Sequence, residues 1–357
     1  MIEGFDKTLE GCAPSEMTEL GGLLEELLGG NGTKSRLIEQ ETLCSHAHSL
    51  GVYRLRFATD GQVCSMVVKR VKSQNTRRSE LAAKRWLPAV GLGGHGPGLL
   101  GCAAVHSGVY AWQVYADHGD NQLDHRQPDP DRVRATIKLV AQIHRRFAGH
   151  PLMGEIRMYG KDLGIHFYES TVRDAIVALE ACHPSETQRP LYERLLQRLR
   201  KVHEEMPARL RAFEEWGGPE TLLHGDLWTT NVIVIPTSNG LHARLIDWDL
   251  SGVGPASYDL STFLLRFAPC HRHWILDAYT EEMACAGWQM PPEQELNYLF
   301  ETQEYARYSN RVIWPAIGLE LDHISWGWEE LAMVDQWFED LEPVLALEPE
   351  RPAARLA

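Results

Sequence analysis

Residues 222–232 read Leu222-Leu223-His224-Gly225-Asp226-Leu227-Trp228-Thr229-Thr230-Asn231-Val232, and this stretch decides how the chain is read. Asp226 is followed five positions later by Asn231, and an apolar strand-like run begins at Val232. Sixteen residues beyond Asn231 comes Leu245-Ile246-Asp247-Trp248-Asp249, at the end of the next apolar run. A carboxylate, an amide and a second carboxylate on the ends of adjacent strands suit one task. One carboxylate orients or deprotonates a hydroxyl, while the amide and the other carboxylate hold Mg²⁺ on the phosphates of a nucleotide. Phosphate oxygens fill most of such a coordination shell, so two protein ligands suffice. Taken singly, Asp226 and Asn231 read as loop caps and Asp247 as a strand-end turn residue. The ordered set is what points to chemistry.

Outward from this stretch the chain changes character near residue 117. Before it, 36–43, 52–57 and 63–71 have strand patterning, with Thr59-Asp60-Gly61 as the turn of a hairpin. A helix is expected over 77–90, a Gly/Pro loop over 91–101 and a buried strand over 109–115. Leu20, Leu23, Leu24, Leu27 and Leu28 have helical spacing and predict one short N-terminal helix. After residue 117, Asp129-Pro130 offers an N-cap followed by proline at the first helical position. Helical patterns then cover 133–147, 171–182, 189–216, 259–268, 271–287, 293–312 and 328–342. Two short strand-like runs, 231–235 and 243–246, interrupt them.

The set His224-Gly225-Asp226 with Asn231, the Asp247 that follows Ile246, and Gly254-Pro255-Ala256-Ser257-Tyr258-Asp259-Leu260 resemble the aminoglycoside phosphotransferase and choline kinase superfamily. That superfamily's fold is similar to that of protein kinases. The resemblance implies an α+β, bilobal protein-kinase-like fold. Residues 1–116 would form a small β-rich N-terminal lobe, and 117–357 a larger, mostly helical C-terminal lobe. It also implies Asp226 as catalytic base, Asn231 and Asp247 as Mg²⁺ ligands, and ATP, with GTP as an alternative, as phosphoryl donor. Asp259, His144 and His224 are expected to be structural, Asp259 as a helix cap or anchor and His224 as a brace for the catalytic loop.

A kinase-like front half needs a strand lysine for the α/β-phosphates and a helix carboxylate to orient it. Lys69, at the end of Ser65-Met66-Val67-Val68-Lys69, and Glu80, on the following helix, fill these places. The phosphate-covering loop would be 45–51, with Ser49 and Gly51 as contributors. Val114 and Ala116 precede the polar run Asp117-His118-Gly119-Asp120, where a hinge would offer backbone groups to the base, and Ile246 would pack beneath it. No Asp-Phe-Gly or Ala-Pro-Glu segment is present, which argues against a protein kinase. All five key polar positions are filled, which argues against a nucleotide-binding pseudokinase.

Composition bears on the acceptor. The chain of 357 residues is 44% hydrophobic and 24% charged, enough to bury a core. Its net charge of −14 argues against a nucleic-acid or membrane-surface partner. No apolar run approaches the roughly 18 residues that span a bilayer. The N-terminus lacks a basic and apolar leader, and the seven cysteines show no metal or disulfide spacing, so a reducing cytoplasm is expected. Residues 301–345 hold ten acids against two arginines, and nine of the 11 tryptophans follow residue 200. The resemblance assigns the acceptor to these C-terminal helices. Carboxylates there suit a cationic amino sugar, and indoles stack on a sugar ring or cage a quaternary ammonium. The candidates are Trp228, Glu301, Glu304, Tyr305, Trp314, Glu320, Asp322 and Trp326, with Trp328 beside them. A solvated helix face and core tryptophans explain the same pattern. Trp228 departs from the His or Arg common in aminoglycoside enzymes and looks more like fructosamine-kinase and ecdysteroid-kinase-like branches. The expectation is therefore a small-molecule kinase acting on a hydroxyl of a sugar-containing natural product, with antibiotic modification and resistance as the leading role. A choline, ethanolamine or other primary-metabolite kinase is the alternative.

Overall fold

The computed structural model describes residues 2–5, 9, 12, 14–29, 34–44, 51–285, 287–324 and 326–346. In chain order the elements begin with α1 (Pro14–Leu27), β1 (Ser35–Cys44), β2 (Val52–Thr59), β3 (Gln62–Lys72) and α2 (Ser73–Leu81). A π-helical segment (Ala82–Trp86) runs into α3 (Leu87–Ala89), followed by β4 (Leu99–Ala104) and β5 (Tyr110–Ala116). Next come α4 (Pro130–Phe147), α5 (Met153–Tyr159), β6 (Lys161–Asp162), α6 (Ile165–Glu180), α7 (Arg189–Glu204) and α8 (Met206–Trp216). The chain continues through β7 (Glu220–Leu223), β8 (Val232–Thr237), β9 (Gly240–Leu245) and β10 (Gly252–Pro255). It then forms α9 (Ser257–Leu264), α10 (Pro269–Ala284), α11 (Glu293–Leu321) and α12 (Gly327–Glu339). The α+β, kinase-like class expected from the sequence is the one observed, with a β-rich N-terminal part and a larger helical remainder.

Two compact units result, 1–123 with 230–250, and 124–229 with 251–357. The sequence reading placed one boundary after residue 116, whereas the hairpin β8–β9 is grouped with the N-terminal unit. Backbone hydrogen bonds explain why: Leu123 N donates to Val232 O at 3.0 Å and Val234 N donates to Asn121 O at 2.9 Å. The His95 and His242 rings also stack at 4.3 Å.

In the first unit, five antiparallel strands lie in the order β1-β2-β3-β5-β4. Alternation sends Leu55, Phe57, Val68, Trp112 and Val114 into the core, where they meet Leu20 and Leu24 of α1. The N-terminal leucine pattern is therefore a sheet-covering helix, and each fully buried leucine contributes about 1.5–3 kcal/mol of transfer free energy. Trp112 Nε1 donates to Glu16 O at 2.9 Å, which fixes that helix over the sheet. The first half of strand β4 falls in the segment expected to be a Gly/Pro loop. Gly101 has a packing role there, because a Cβ would stand 2.7 Å from Leu23 Cδ1. Propensity alone marks such a glycine as a breaker, while close approach of a helix requires it.

In the second unit, Tyr168, Val172, Leu179, Leu195, Leu199, Val312, Leu331 and Val334 join α6, α7, α11 and α12 in one core. Asp129 caps α4 as expected, its Oδ1 accepting from Asp131 N at 2.9 Å and Arg132 N at 3.2 Å. The helix expected over 189–216 is two helices, because Pro207, in the first turn of α8, cannot donate to the preceding turn. Conversely α11 runs through Pro315 to Leu321, 29 residues in all. The small sheet β6-β10-β7 holds the Gly-Val-Gly-Pro strand. A Cβ on Gly252 would stand 2.2 Å from Lys161 O, so only glycine allows that pairing. Among the described residues no helix is long and apolar enough to cross a membrane.

Candidate active site

In the first unit the phosphate-side candidates gather around Lys69. Register places Lys69 on β3 opposite Val52 of β2 and Gln113 of β5. Its Nζ lies 2.6 Å from Asp247 Oδ1 and 2.7 Å from Asp249 Oδ2. Burial pulls this ammonium's pKa down, but the two carboxylates outweigh burial and the net shift is upward, so Lys69 stays charged. Asp249 Oδ1 accepts from Ser79 Oγ at 2.5 Å, and Ser79 is buried on α2. Ser79 and Asp249 thus fix the angle of Lys69 from the helix side. The nearby Tyr115 hydroxyl donates to Gln113 Oε1 at 2.8 Å, and its pKa is pushed well up by burial and by the Asp249 and Asp247 charges.

The sequence expectation paired Lys69 with Glu80, and this is corrected. Glu80 pairs with Lys84 at 3.4 Å, one helical turn on along its own helix. One residue is about 100° of helix rotation, so Ser79 faces the sheet while Glu80 is turned aside. Asp249 is the residue that sequence reasoning missed. Its signal was present as the second acid of Asp247-Trp248-Asp249.

Asn231 and Asp247 leave the same end of the hairpin, since Val232 pairs with Leu245 and Ile246 N donates to Asn231 O at 2.9 Å. Asp247 has a left-handed backbone, φ 63°, sparsely populated by residues other than glycine. Trp248 Nε1 donates to Leu245 O at 2.9 Å, which anchors the turn that follows. An amide oxygen and a carboxylate are hard donors, and this pair fits Mg²⁺ that is also held by phosphate oxygens.

Gly51 has φ 95°, and a Cβ there would stand 2.5 Å from the Tyr53 hydroxyl, so glycine is required. Ser49 and the rest of 45–50 lie outside the described residues. The Val114 side chain is in the core beneath α1, so only its backbone remains a candidate for the base. Ala116 N donates to Gly98 O at 3.0 Å. The run after it is tied down: the buried guanidinium of Arg54 pairs with Asp117 at 3.0 Å, Asp120 at 2.8 Å and Glu41 at 2.7 Å.

In the second unit the catalytic-loop candidate is built on Asp259. Its Oδ2 accepts from His224 N at 2.7 Å and its Oδ1 from Gly225 N at 2.9 Å. Gly225 takes φ 80°, the turn that exposes Asp226. Asp226 N donates to His224 Nδ1 at 3.3 Å, the bracing role expected of His224. His144 supports the other side, with Nε2 3.4 Å from Asp259 Oδ2 and Nδ1 2.9 Å from the Tyr279 hydroxyl. Burial pushes the Asp259 carboxyl up, but the bond and charge of His144, the His224 charge and the Gly225 N–H outweigh it. The carboxyl is held below the ordinary range. Asp259 is therefore an anchor for loop backbone.

The acceptor candidates divide. Trp228, 40% exposed, lies under the Arg266 guanidinium at 4.0 Å, and Arg266 feels the charges of Asp226 and Glu304. Glu304 is buried and paired with Arg307, which also donates to Ser261 Oγ and Tyr258 O. Glu301 pairs with buried Arg209 at 2.8 Å and accepts from the Tyr305 hydroxyl at 3.1 Å. Glu320 meets His183 at 3.1 Å. Trp314 is 72% exposed, and ten residues of helix, about 15 Å, separate it from Glu304. Asp322 is exposed, Trp326 is half-exposed, and Trp328 packs against the helical core. Glu301 and Glu304 thus have an arginine beside them within the chain, while Glu320 has an exposed histidine.

A sequence profile of the phosphotransferase enzyme family matches residues 45–289. No curated protein matches the chain. Among solved structures, a spectinomycin phosphotransferase in complex with ADP and spectinomycin aligns with TM-score 0.54 and 13% identity, over 87% of this chain and 91% of that one. The Plasmodium vivax ethanolamine kinase aligns with TM-score 0.54 and 12% identity, over 95% and 97%. The choline kinase LicA from Streptococcus pneumoniae aligns with TM-score 0.52 and 11% identity, over 90% and 99%. At these identities the likeness is one of fold, while the profile covers well over half of the sequence and includes Lys69, Asp226, Asn231, Asp247 and Asp259. The chain belongs to the phosphotransferase enzyme family and is a small-molecule phosphotransferase.

Proposed function

We propose that this enzyme transfers the γ-phosphoryl group of ATP, or of GTP, to a hydroxyl of a sugar-containing small molecule, in the cytoplasm. Asp226 orients the hydroxyl and takes its proton. Lys69, aimed by Asp249 and Ser79, holds nucleotide phosphate oxygens. Asn231 and Asp247 are the residues that would hold Mg²⁺, which when bound neutralises charge on the phosphates. Gly51 and the segment before it cover the phosphates, and Ile246 with the backbone of Val114 and Ala116 receives the base. Modification of a sugar-containing antibiotic is the role this chemistry suits.

The observation that carries the reading is the Lys69 ammonium held by Asp247 and Asp249 at 2.6 and 2.7 Å. A strand lysine kept charged beside acids at the metal-ligand position is what phosphate handling needs. The test is Asp226→Ala in an acceptor screen with mass detection of phosphorylated product. Turnover should fall by about 10²–10⁴-fold, the range of general-base catalysis, while nucleotide binding persists. Unchanged turnover would remove Asp226 as the base.

A further inference from the structure

Arg266 stands in the field of Glu304 and Asp226. Glu304 is paired with Arg307. Glu301 is paired with Arg209. Arg266, just past the end of α9, lies over the Trp228 ring at 4.0 Å, two residues along the chain from Asp226. Among the described residues Arg266 forms no ion pair, and its Nε is buried without a hydrogen-bond partner. Stacking on an indole fixes the plane of a guanidinium. A planar fork of this kind matches the two oxygens of a carboxylate. A polycationic acceptor would meet repulsion there.

On the reading that Asp226 is the base of a hydroxyl kinase, we propose that the acceptor is a hydroxy acid of the sugar-acid class. Its carboxylate is held by Arg266 against Trp228 while a nearby hydroxyl faces Asp226. The hydroxyl oxygen forms the new bond to the γ-phosphorus, the bond to the β-phosphate oxygen breaks, and the hydroxyl proton goes to Asp226. The nucleoside diphosphate leaves with the bonding electron pair.

The experiment compares D-gluconate and D-glucuronate with neutral D-glucitol and with cationic kanamycin and choline. Binding is read by quenching of tryptophan emission in the absence of nucleotide, and turnover with Mg²⁺-ATP. The wild-type chain should bind a sugar acid at least tenfold more tightly than glucitol. Arg266→Ala should abolish that preference and raise the KM for the acid, with the KM for ATP and kcat within about twofold. Arg266→Lys should restore part of it, and Arg266→Glu should shift preference toward the amines. The proposal is overturned if neither acid is preferred. It also falls if kanamycin or choline is favoured and insensitive to Arg266. It falls equally if Arg266→Ala lowers kcat alike for every acceptor, which would assign the guanidinium to the transferred phosphoryl group. Acid-selective binding without phosphorylation would count against the kinase reading alone, and phosphorylation of an amine unaffected by Arg266 against this proposal alone.

Discussion

The ammonium of Lys69 stands 2.6 Å from Asp247 Oδ1, joining β3 to the turn after β9 across 178 positions of sequence. Asp249 closes the other side at 2.7 Å and is itself held by Ser79. The lysine therefore has its direction set by two acids from one turn and by a hydroxyl from the helix that follows its own strand.

Loss of the Asp249 carboxylate should therefore weaken nucleotide binding. A hydrogen bond to a charged group is worth about 1.5–3 kcal/mol, so Asp249→Asn should raise the KM for ATP roughly tenfold to a hundredfold. Ser79→Ala should move it the same way by less, and Glu80→Gln should leave it within about twofold. Steady-state kinetics with acceptor held saturating distinguish these outcomes, because the acceptor KM should not move.

Asp247 combines a left-handed backbone with a carboxylate. Asn tolerates that conformation, whereas Ala is strained there by about 1–2 kcal/mol. Asp247→Asn should keep its melting temperature and lose the response of nucleotide affinity to added Mg²⁺. Asp247→Ala should lose both. Thermal melts and isothermal titration with and without Mg²⁺ check this.

Asp259 links acid stability to the catalytic loop. Its carboxyl is fully buried and its pKa is held below the unfolded value, which is about 3.9 for Asp. A depressed folded pKa stabilises the fold above the unfolded pKa, and this contribution is lost as pH falls through the folded pKa. Asp259→Ala leaves the His224 and Gly225 N–H groups and His144 without their acceptor, and should cost about 3–5 kcal/mol. Melting of wild type and Asp259→Asn from neutral to acid pH should converge at the acid end.

Glu301 belongs to a charge cluster around Arg209. It shares buried Arg209 with Glu205 and the Thr302 hydroxyl, under the rings of Tyr298 and Tyr305. Glu301 is partly exposed and Glu205 remains, so Glu301→Gln should cost only about 1 kcal/mol, a melting shift of roughly 2–4 °C. The acceptor KM should stay unchanged. A large rise in that KM would return Glu301 to the acceptor site.

Much was determined by sequence alone, because the relevant forces are local. Asp129-Pro130 specified a helix start, the leucines of α1 specified a buried face, and alternation on β2 and β3 specified which side chains enter the core. The spacing from Asp226 to Asn231 and on to Asp247 carried the proposed chemistry, since a short hairpin joins Asn231 to Asp247 and leaves little freedom. The tertiary structure decided which charges meet. Ser79 and not Glu80 faces the sheet, because helix phase and strand register jointly select it. Glu301 and Glu304 of α11 stand beside arginines 92 and 3 positions away in the chain. The net charge of −14 counted those acids but not their pairing. Ion pairing acts between side chains that folding brings together, so only the folded chain shows that Glu301 and Glu304 already have arginines beside them.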